Sequence, residues 1–229
     1  MAVFDLHIHT TRGSSDSSLA PEDLARQARD LGLDGVCLTE HSGGWEQEEV
    51  QRAFEGSGLV VVNGLEVETD MGHILVFGLH SYLNGMHRVE ELRKAVDEAG
   101  GVMVSAHPFR NLFNQRPFNY NLLFRDPDER PESAQQAASH PLFELVDAIE
   151  VANGSNTDYE NRFALDVAKG LGLGATGGSD AHSSHGLGSC VTVFDGDVRS
   201  ESDLIEAIKA KAHSPGQGLN LGQLTPFGV

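Results

Sequence analysis

Short apolar runs alternate along the chain with stretches whose apolar residues recur every three or four positions. Val3–Ile8 reads as a strand. Pro21 opens a helix that runs to about Leu31, begins near Ser18 or Ala20 and stops at Gly32. Leu33–Thr39 is a second strand, Glu46–Glu55 a helix, and Leu59–Glu68 and His73–Gly78 two further strands. Arg88–Ala99 puts Val89, Leu92 and Val96 on one helical face and ends at Gly100–Gly101. Val102–Ala106 is a strand, and Phe143–Val151 ends in another. Asn161–Leu171 is helical, with Phe163, Leu165, Val167 and Ala168 as its apolar residues. Gly174–Thr176 begins a short strand, Cys190–Phe194 is the last clear one, and Glu201–Ala212 is the last helix.

This β/α alternation has no break in composition, which predicts one α/β domain over residues 1–229. A parallel barrel, closed or nearly so, and a doubly wound sheet both fit the alternation. The polar residues decide between them. They follow the apolar runs one strand after another, as at the C-terminal face of a barrel, where a doubly wound sheet would gather its site at one crevice. The exception is the long segment at about 109–142, which carries no long periodic element. Its Arg110, Arg116, Arg125 and Arg130 suit a lid over a substrate, with a solvated loop as the equal alternative.

Candidate chemistry sits at those strand ends. His7 and His9 are spaced by two at the end of the first strand, so both imidazoles point to the same side, half of a metal site. Glu40 and His41 follow the second strand, Glu66 closes the next, and His73 opens the one after. His107 follows GVMVSA, and Asp180 and His182 repeat the spacing of two after LGLGATGGS. Asp16 lies in the first loop. Six of the 11 histidines fall at such points, which favours a clustered metal site over scattered core and surface histidines. Nitrogen and oxygen donors without thiolate suit zinc, manganese or iron. Cys37 and Cys190 sit inside apolar runs and read as buried thiols. Glu150 and Asn153 close a strand on the same rim, Gly177 and Gly178 would allow a tight turn beneath Asp180, and His185 is placed either to contact substrate or in a turn. Asp23, Asp34 and Asp70 read as surface or supporting groups.

Charge narrows the partners. The 229 residues include 34 acidic and 16 basic side chains, a formal charge of −18, which repels a long nucleic acid. A small phosphorylated substrate, a nucleotide or a short oligonucleotide included, stays compatible because bound metals reverse the local field. No apolar run reaches membrane-spanning length and no basic leader opens the chain, so a cytoplasmic protein is expected.

Taken together, FDLHIHTTRGSSD at 4–16, LTEH at 38–41, GLE at 64–66, GHILVFG at 72–78, SAHP at 105–108, IEVANG at 149–154 and GGSDAH at 177–182 resemble the PHP family, named for its polymerase and histidinol-phosphatase members. The resemblance implies a distorted (β/α)7 barrel with a trinuclear metal site at the C-terminal strand ends. It implies one metal on His7, His9, Glu66 and Asp180. Glu66 would bridge to a second metal on His73 and His107, and Asp16, His41 and His182 would hold a third. Some relatives have histidine where this chain has Asp16. Glu40 stands where relatives often carry aspartate, and it is expected to orient a ligand imidazole.

The implied activity is hydrolysis of a small phosphate mono- or diester by a hydroxide bridging two metals held together by Glu66. Arg110 or Arg116 would clamp the phosphate, and His185 is the candidate proton donor to the leaving group. The chain shows no polymerase module, which favours a small stand-alone phosphoesterase. Two other classes fit the same ligands: an amidohydrolase-like enzyme acting on an amide or lactone, and a non-catalytic metal-binding module.

Overall fold

The computed structural model describes residues 1–115 and 117–228. Arg116, one of the expected phosphate clamps, lies outside the described residues. In chain order the elements are β1 (Ala2–Ile8), α1 (Pro21–Leu31), β2 (Gly35–Glu40), α2 (Gln47–Phe54), β3 (Val60–Thr69), β4 (Gly72–Phe77), α3 (Val89–Glu98) and β5 (Val102–Ser105). There follow α4 (Ala134–Ala137), β6 (Ala148–Asn153), α5 (Asp158–Leu171), β7 (Gly174–Gly178), β8 (Cys190–Phe194), α6 (Glu201–Lys209), β9 (His213–Gln217) and β10 (Thr225–Pro226).

All ten strands form one sheet in the order β10-β9-β8-β1-β2-β3-β4-β5-β6-β7. The runs β1–β2–β3 and β5–β6–β7 are parallel. β4 lies antiparallel between β3 and β5, because only Asp70 and Met71 connect it to β3. β8 is antiparallel to β1 and β9 antiparallel to β8. The expected α/β barrel is thus a mixed sheet curled into a half barrel, and its distortion resides in these reversed strands.

The curl brings the last parallel strand back to the first. The Asp180 N–H donates to the His7 carbonyl at 2.8 Å, and the His9 N–H to the Ala181 carbonyl at 3.0 Å. Gly177 exchanges hydrogen bonds with the Thr192 hydroxyl of β8, at 2.8 and 2.9 Å. Close approach, rather than a tight turn, explains the glycine pair. Neither has a positive φ. A Cβ on Gly177 would stand 2.3 Å from the Val191 carbonyl oxygen, and one on Gly178 would stand 2.5 Å from the His7 Cβ.

The helices cover the sheet with their apolar stripes. α1 buries Leu24 and Ala28 with Val36 and Leu38, and Gly32, at φ 82°, closes it where the sequence pattern ends. α3 buries Val89, Leu92 and Val96 against Leu65, Val76 and Met103. α6 packs Leu204 and Ile208 near Phe4 and Phe77. α5 starts three residues before the expected Asn161, because Thr157 and Glu160 form a reciprocal cap. No described helix is long and apolar enough to cross a membrane.

The long segment is more ordered than its composition implies. Arg130 donates to the carbonyls of Leu112 (2.8 Å) and Asn119, and Arg125 to those of Leu122 (3.0 Å) and Thr69 (3.3 Å). Asn121 spends both ends of its amide on the backbone of Pro108, Arg110, Leu123 and Phe124. Arg125 and Arg130 therefore staple the segment to itself and to the sheet, which corrects their reading as a substrate lid.

In the sequence Asp5 reads as one polar residue inside a strand. Its fully buried carboxylate accepts from Ser179 N at 2.8 Å, Gly188 N at 3.0 Å and His7 N at 3.3 Å, tying β1 to the chain beyond β7. Asp5→Ala would leave these buried N–H groups unpaired, at a cost of about 1–3 kcal/mol each. Chemical denaturation should show a loss of that order, and a midpoint within experimental error of the parent would contradict the assignment.

Candidate metal centre

The curled sheet converges its strand ends on one rim. β1 delivers His7 and, just past its end, His9, β2 is followed by His41, and β3 and β4 carry Glu66 and His73. β5 is followed by His107, and β7 by Asp180 and His182. Backbone is strained at two of these positions: His107 has φ 31° and Asp180 φ 54°.

Three groups of side chains result. In the first, the Nε2 atoms of His7 and His9 each lie 3.3–3.4 Å from both Glu66 Oε2 and Asp180 Oδ1. In the second, Glu66 Oε1 lies 2.8 Å from His73 Nδ1 and 2.9 Å from His107 Nε2. In the third, Asp16 Oδ2 is 3.6 Å from His41 Nε2 and 3.3 Å from His182 Nε2. Glu66 belongs to the first two groups through different oxygens, and its Oε2 also lies 3.2 Å from His41 Nδ1. All nine expected ligand residues are thus brought together.

The first group fits a cation. The Nε2 atoms of His7 and His9 are buried with no hydrogen-bond partner, a costly state unless they hold something else. Four donors placed tetrahedrally about 2.0–2.1 Å from one centre stand roughly 3.3 Å apart. The measured edges of 3.3–3.4 Å match.

Outer partners fix the rings. His7 Nδ1 is 2.9 Å from Glu150 Oε1, whose other oxygen accepts from His107 N and from Asn153 Nδ2, both at 2.9 Å. His9 Nδ1 is 3.1 Å from Ser14 Oγ, which donates at 2.7 Å to Glu40. Glu40 also accepts from Trp45 Nε1 at 3.0 Å and Thr10 N at 3.0 Å. Because the Ser14 proton goes to Glu40, His9 donates from Nδ1, so that in the neutral ring the Nε2 lone pair faces the cluster. Glu40 thus orients an imidazole through a hydroxyl relay that the sequence reading did not contain.

Protonation follows the same geometry. Burial alone would raise the Glu66 carboxyl, but His7 and the hydrogen bonds of His107 and His73 hold it well below its ordinary range. Burial opposes ionisation of Asp180 too, and His7, His9 and Arg110 overcome it. Burial pulls His7 down, while Glu150, Asp180 and Glu66 pull it well above the ordinary value; His9 is raised in the same way by Asp180 and Glu66. Burial lowers His41 and His107, the latter with help from Arg110. Burial also raises Asp5, to about 6. Two ionised carboxylates at nearly full burial demand positive charge, which protons or a divalent cation can supply.

Of the expected catalytic groups, Arg110 is at the cluster. Its Nη2 contacts Asp180 and, at 2.8 Å, Asn153, while Nε donates to Asn156 at 2.9 Å. His185 is exposed and makes no hydrogen bond to the cluster among the described residues.

Residues 5–123 match the family described as PHP domain, just over half of the chain, and residues 158–212 match one described as PHP-associated. The chain belongs to the PHP family. An uncharacterized protein of Methanocaldococcus jannaschii is 29% identical over 117 residues, 46% of this chain and 67% of that protein. Two solved structures share the PHP fold at lower identity. One, from Bifidobacterium adolescentis and named as a candidate metal-dependent phosphoesterase, superposes with a TM-score of 0.62 at 20% identity, covering 91% of this chain and 96% of the other. The other is a lesion-specific endonuclease from Pyrococcus furiosus, with a TM-score of 0.55 at 19% identity; 91% of this chain covers 56% of that one. At these identities the structural likeness speaks for fold alone.

Ser14→Ala breaks the link between His9 and Glu40 while leaving the nine candidate ligands in place. We expect roughly 10–100-fold weaker metal binding by direct titration, the usual cost of losing an outer partner. Unchanged affinity would show that the relay does not govern His9.

Proposed function

We propose that this PHP protein is a metal-dependent phosphoesterase acting on a small phosphorylated substrate, with residues 1–229 working as one barrel-like unit. The observation that carries the proposal is the ring of His7, His9, Glu66 and Asp180 around a centre where two buried imidazole nitrogens have no partner. In this reading His7, His9, Glu66 and Asp180 hold one ion, Glu66, His73 and His107 a second, and Asp16, His41 and His182 a third. Zinc, manganese and iron all suit these donors. When bound, such ions supply water ionised near neutral pH and offset the charge of a phosphate ester.

The remaining work belongs to the chain. Glu66, lying in two groups at once, fixes the spacing between them. Glu150 and the Ser14–Glu40 relay keep His7 and His9 aimed inward. Arg110 braces Asp180 through Nη2, which leaves Nη1 without a protein partner among the described residues and free for a phosphate oxygen. In this reading Arg110 binds the phosphate, and His185, which is exposed, takes no part.

The amidohydrolase-like reading loses support from lysine placement. Lys94, Lys169 and Lys209 lie on α3, α5 and α6, and Lys211 just beyond α6, so no lysine stands on a strand end to bridge metals.

The test is turnover by metal-quantified protein of phosphomonoesters, linear and cyclic diesters, nucleoside bisphosphates and a carboxylic ester side by side. We expect one phosphate class to be hydrolysed selectively, with activity lost on chelation and restored by adding metal back. Phosphate turnover absent with every position filled would overturn the proposal. Metal content gives a second check: Glu66→Ala should lose ions from two positions and Asp16→Ala from one. Equal losses in the two variants would contradict the bridging role of Glu66.

A further inference from the structure

A cavity of about 240 Å³ opens directly beside the second ligand group, with His73 and His107 in its wall and Arg110 at the same end. Among the described residues no acidic side chain lines it, although the chain carries 34 acidic residues against 16 basic ones. Met71, Pro108, Leu122, Leu123 and Tyr120 also line it, with Ser105 and Asn111 as further polar side chains. Tyr120 is 62% exposed, so its ring stands at the mouth rather than in the core. The buried amide in the wall, Asn121, is committed at both ends to the backbone and offers nothing to a ligand. The cavity therefore borders the candidate ligands His73 and His107 and the cation Arg110, and the rest of its wall is mainly apolar with a free aromatic ring.

We propose that this cavity receives the leaving group of the phosphate ester and selects a planar aromatic one. The inference rests on the phosphoesterase reading for its orientation, with the phosphate toward His73, His107 and Arg110. A polyol or charged leaving group would surrender its water to Leu122, Leu123 and Met71, with only Ser105, Asn111 and the Tyr120 hydroxyl to offer hydrogen bonds in return. An aromatic ring loses little on desolvation and gains the Tyr120 face, the Met71 thioether and the flat Pro108 ring. The volume is enough for one ring system and its linking atoms, while a long chain would protrude past Tyr120. Six of the lining residues, Arg110, Asn111 and Tyr120–Leu123, come from the long segment. The segment that Arg125 and Arg130 hold in place thus forms the specificity wall, and this gives those two arginines an indirect use.

Benzyl phosphate and ethyl phosphate test this, since both release simple alcohols of similar acidity and differ mainly in the ring. With metal-loaded protein, kcat/KM should favour benzyl phosphate at least tenfold, and Leu122→Asn and Tyr120→Ala should each shrink that ratio severalfold. Tyr120 is largely exposed, so its variant guards against misfolding of the other. Binding of benzylphosphonate and ethylphosphonate, measured by calorimetry, separates the two ideas because it needs no turnover. A tighter benzylphosphonate complex that loses its advantage in both variants supports the aromatic pocket even if neither ester is hydrolysed, in which case the phosphoesterase reading fails alone. Equal kcat/KM for the two esters, or equal affinities for the two phosphonates, overturns the pocket assignment and leaves the phosphoesterase reading standing.

Discussion

Two carboxylates buried among imidazoles set the terms for this fold. Glu66 and Asp180 are 2% and 3% exposed, and each is held in its charged form by neighbours at hydrogen-bond range. Burying one unpaired charge costs several kcal/mol, so two within reach of the same atoms demand a rigid set of compensating groups. His7, His9, His73, His107 and Arg110 are that set, and they come from three strand ends and one loop. The sheet must curl for them to meet. Asp5, the Gly177–Gly178 pair and the hydrogen bond from Asp180 N to the His7 carbonyl are the devices that hold the curl closed.

That dependence explains which parts of the structure were legible in sequence. The strands that end in ligands are short, apolar and followed at once by histidine or acid, so both the elements and the site could be read together. α1 and α3 were readable because Pro21, Gly32 and Gly100 punctuate regular apolar repeats. β9 was not, since its HSPGQ holds no apolar alternation and contains both proline and glycine. It exists because β8 offers it an antiparallel edge, a tertiary cause invisible in local pattern. β10, two residues long, follows from β9 in the same way.

The site shows the same division. The nine candidate ligands were legible from residue type and spacing, whereas their supports were legible only in part. Glu150 was legible because it closes a strand on the right rim, and Glu40 through the family resemblance at its position. Ser14 and Asp5 were not, since a serine in a loop and an aspartate in a strand carry no signal until the fold shows what they face. The arginines of the long segment misled in the opposite direction. A cluster of cations in an acidic chain suggested substrate binding, yet Arg125 and Arg130 are spent on backbone carbonyls. A guanidinium satisfies several carbonyls at once, so it can hold an irregular segment that has no ladder of its own.

Exposure grades the three ligand groups. The side chains of His7, His9, Glu66 and Asp180 are at most 3% exposed, whereas Asp16 is 58%, His41 34% and His182 31% exposed. In the inner group an ion would be surrounded by donors whose rings are fixed by Glu150 and by the Ser14 relay, and losing it would leave two buried carboxylates to be balanced by protons on His7 and His9 and by Arg110. In the outer group Asp16 can be solvated by water when no ion is present, and His41 is already shifted toward its neutral form by burial. The free-energy penalty for emptying the outer position is correspondingly smaller. On the proposed assignment, an inner ion would be part of the fold's own electrostatic balance, and an outer one would be filled and emptied without disturbing the sheet beneath it.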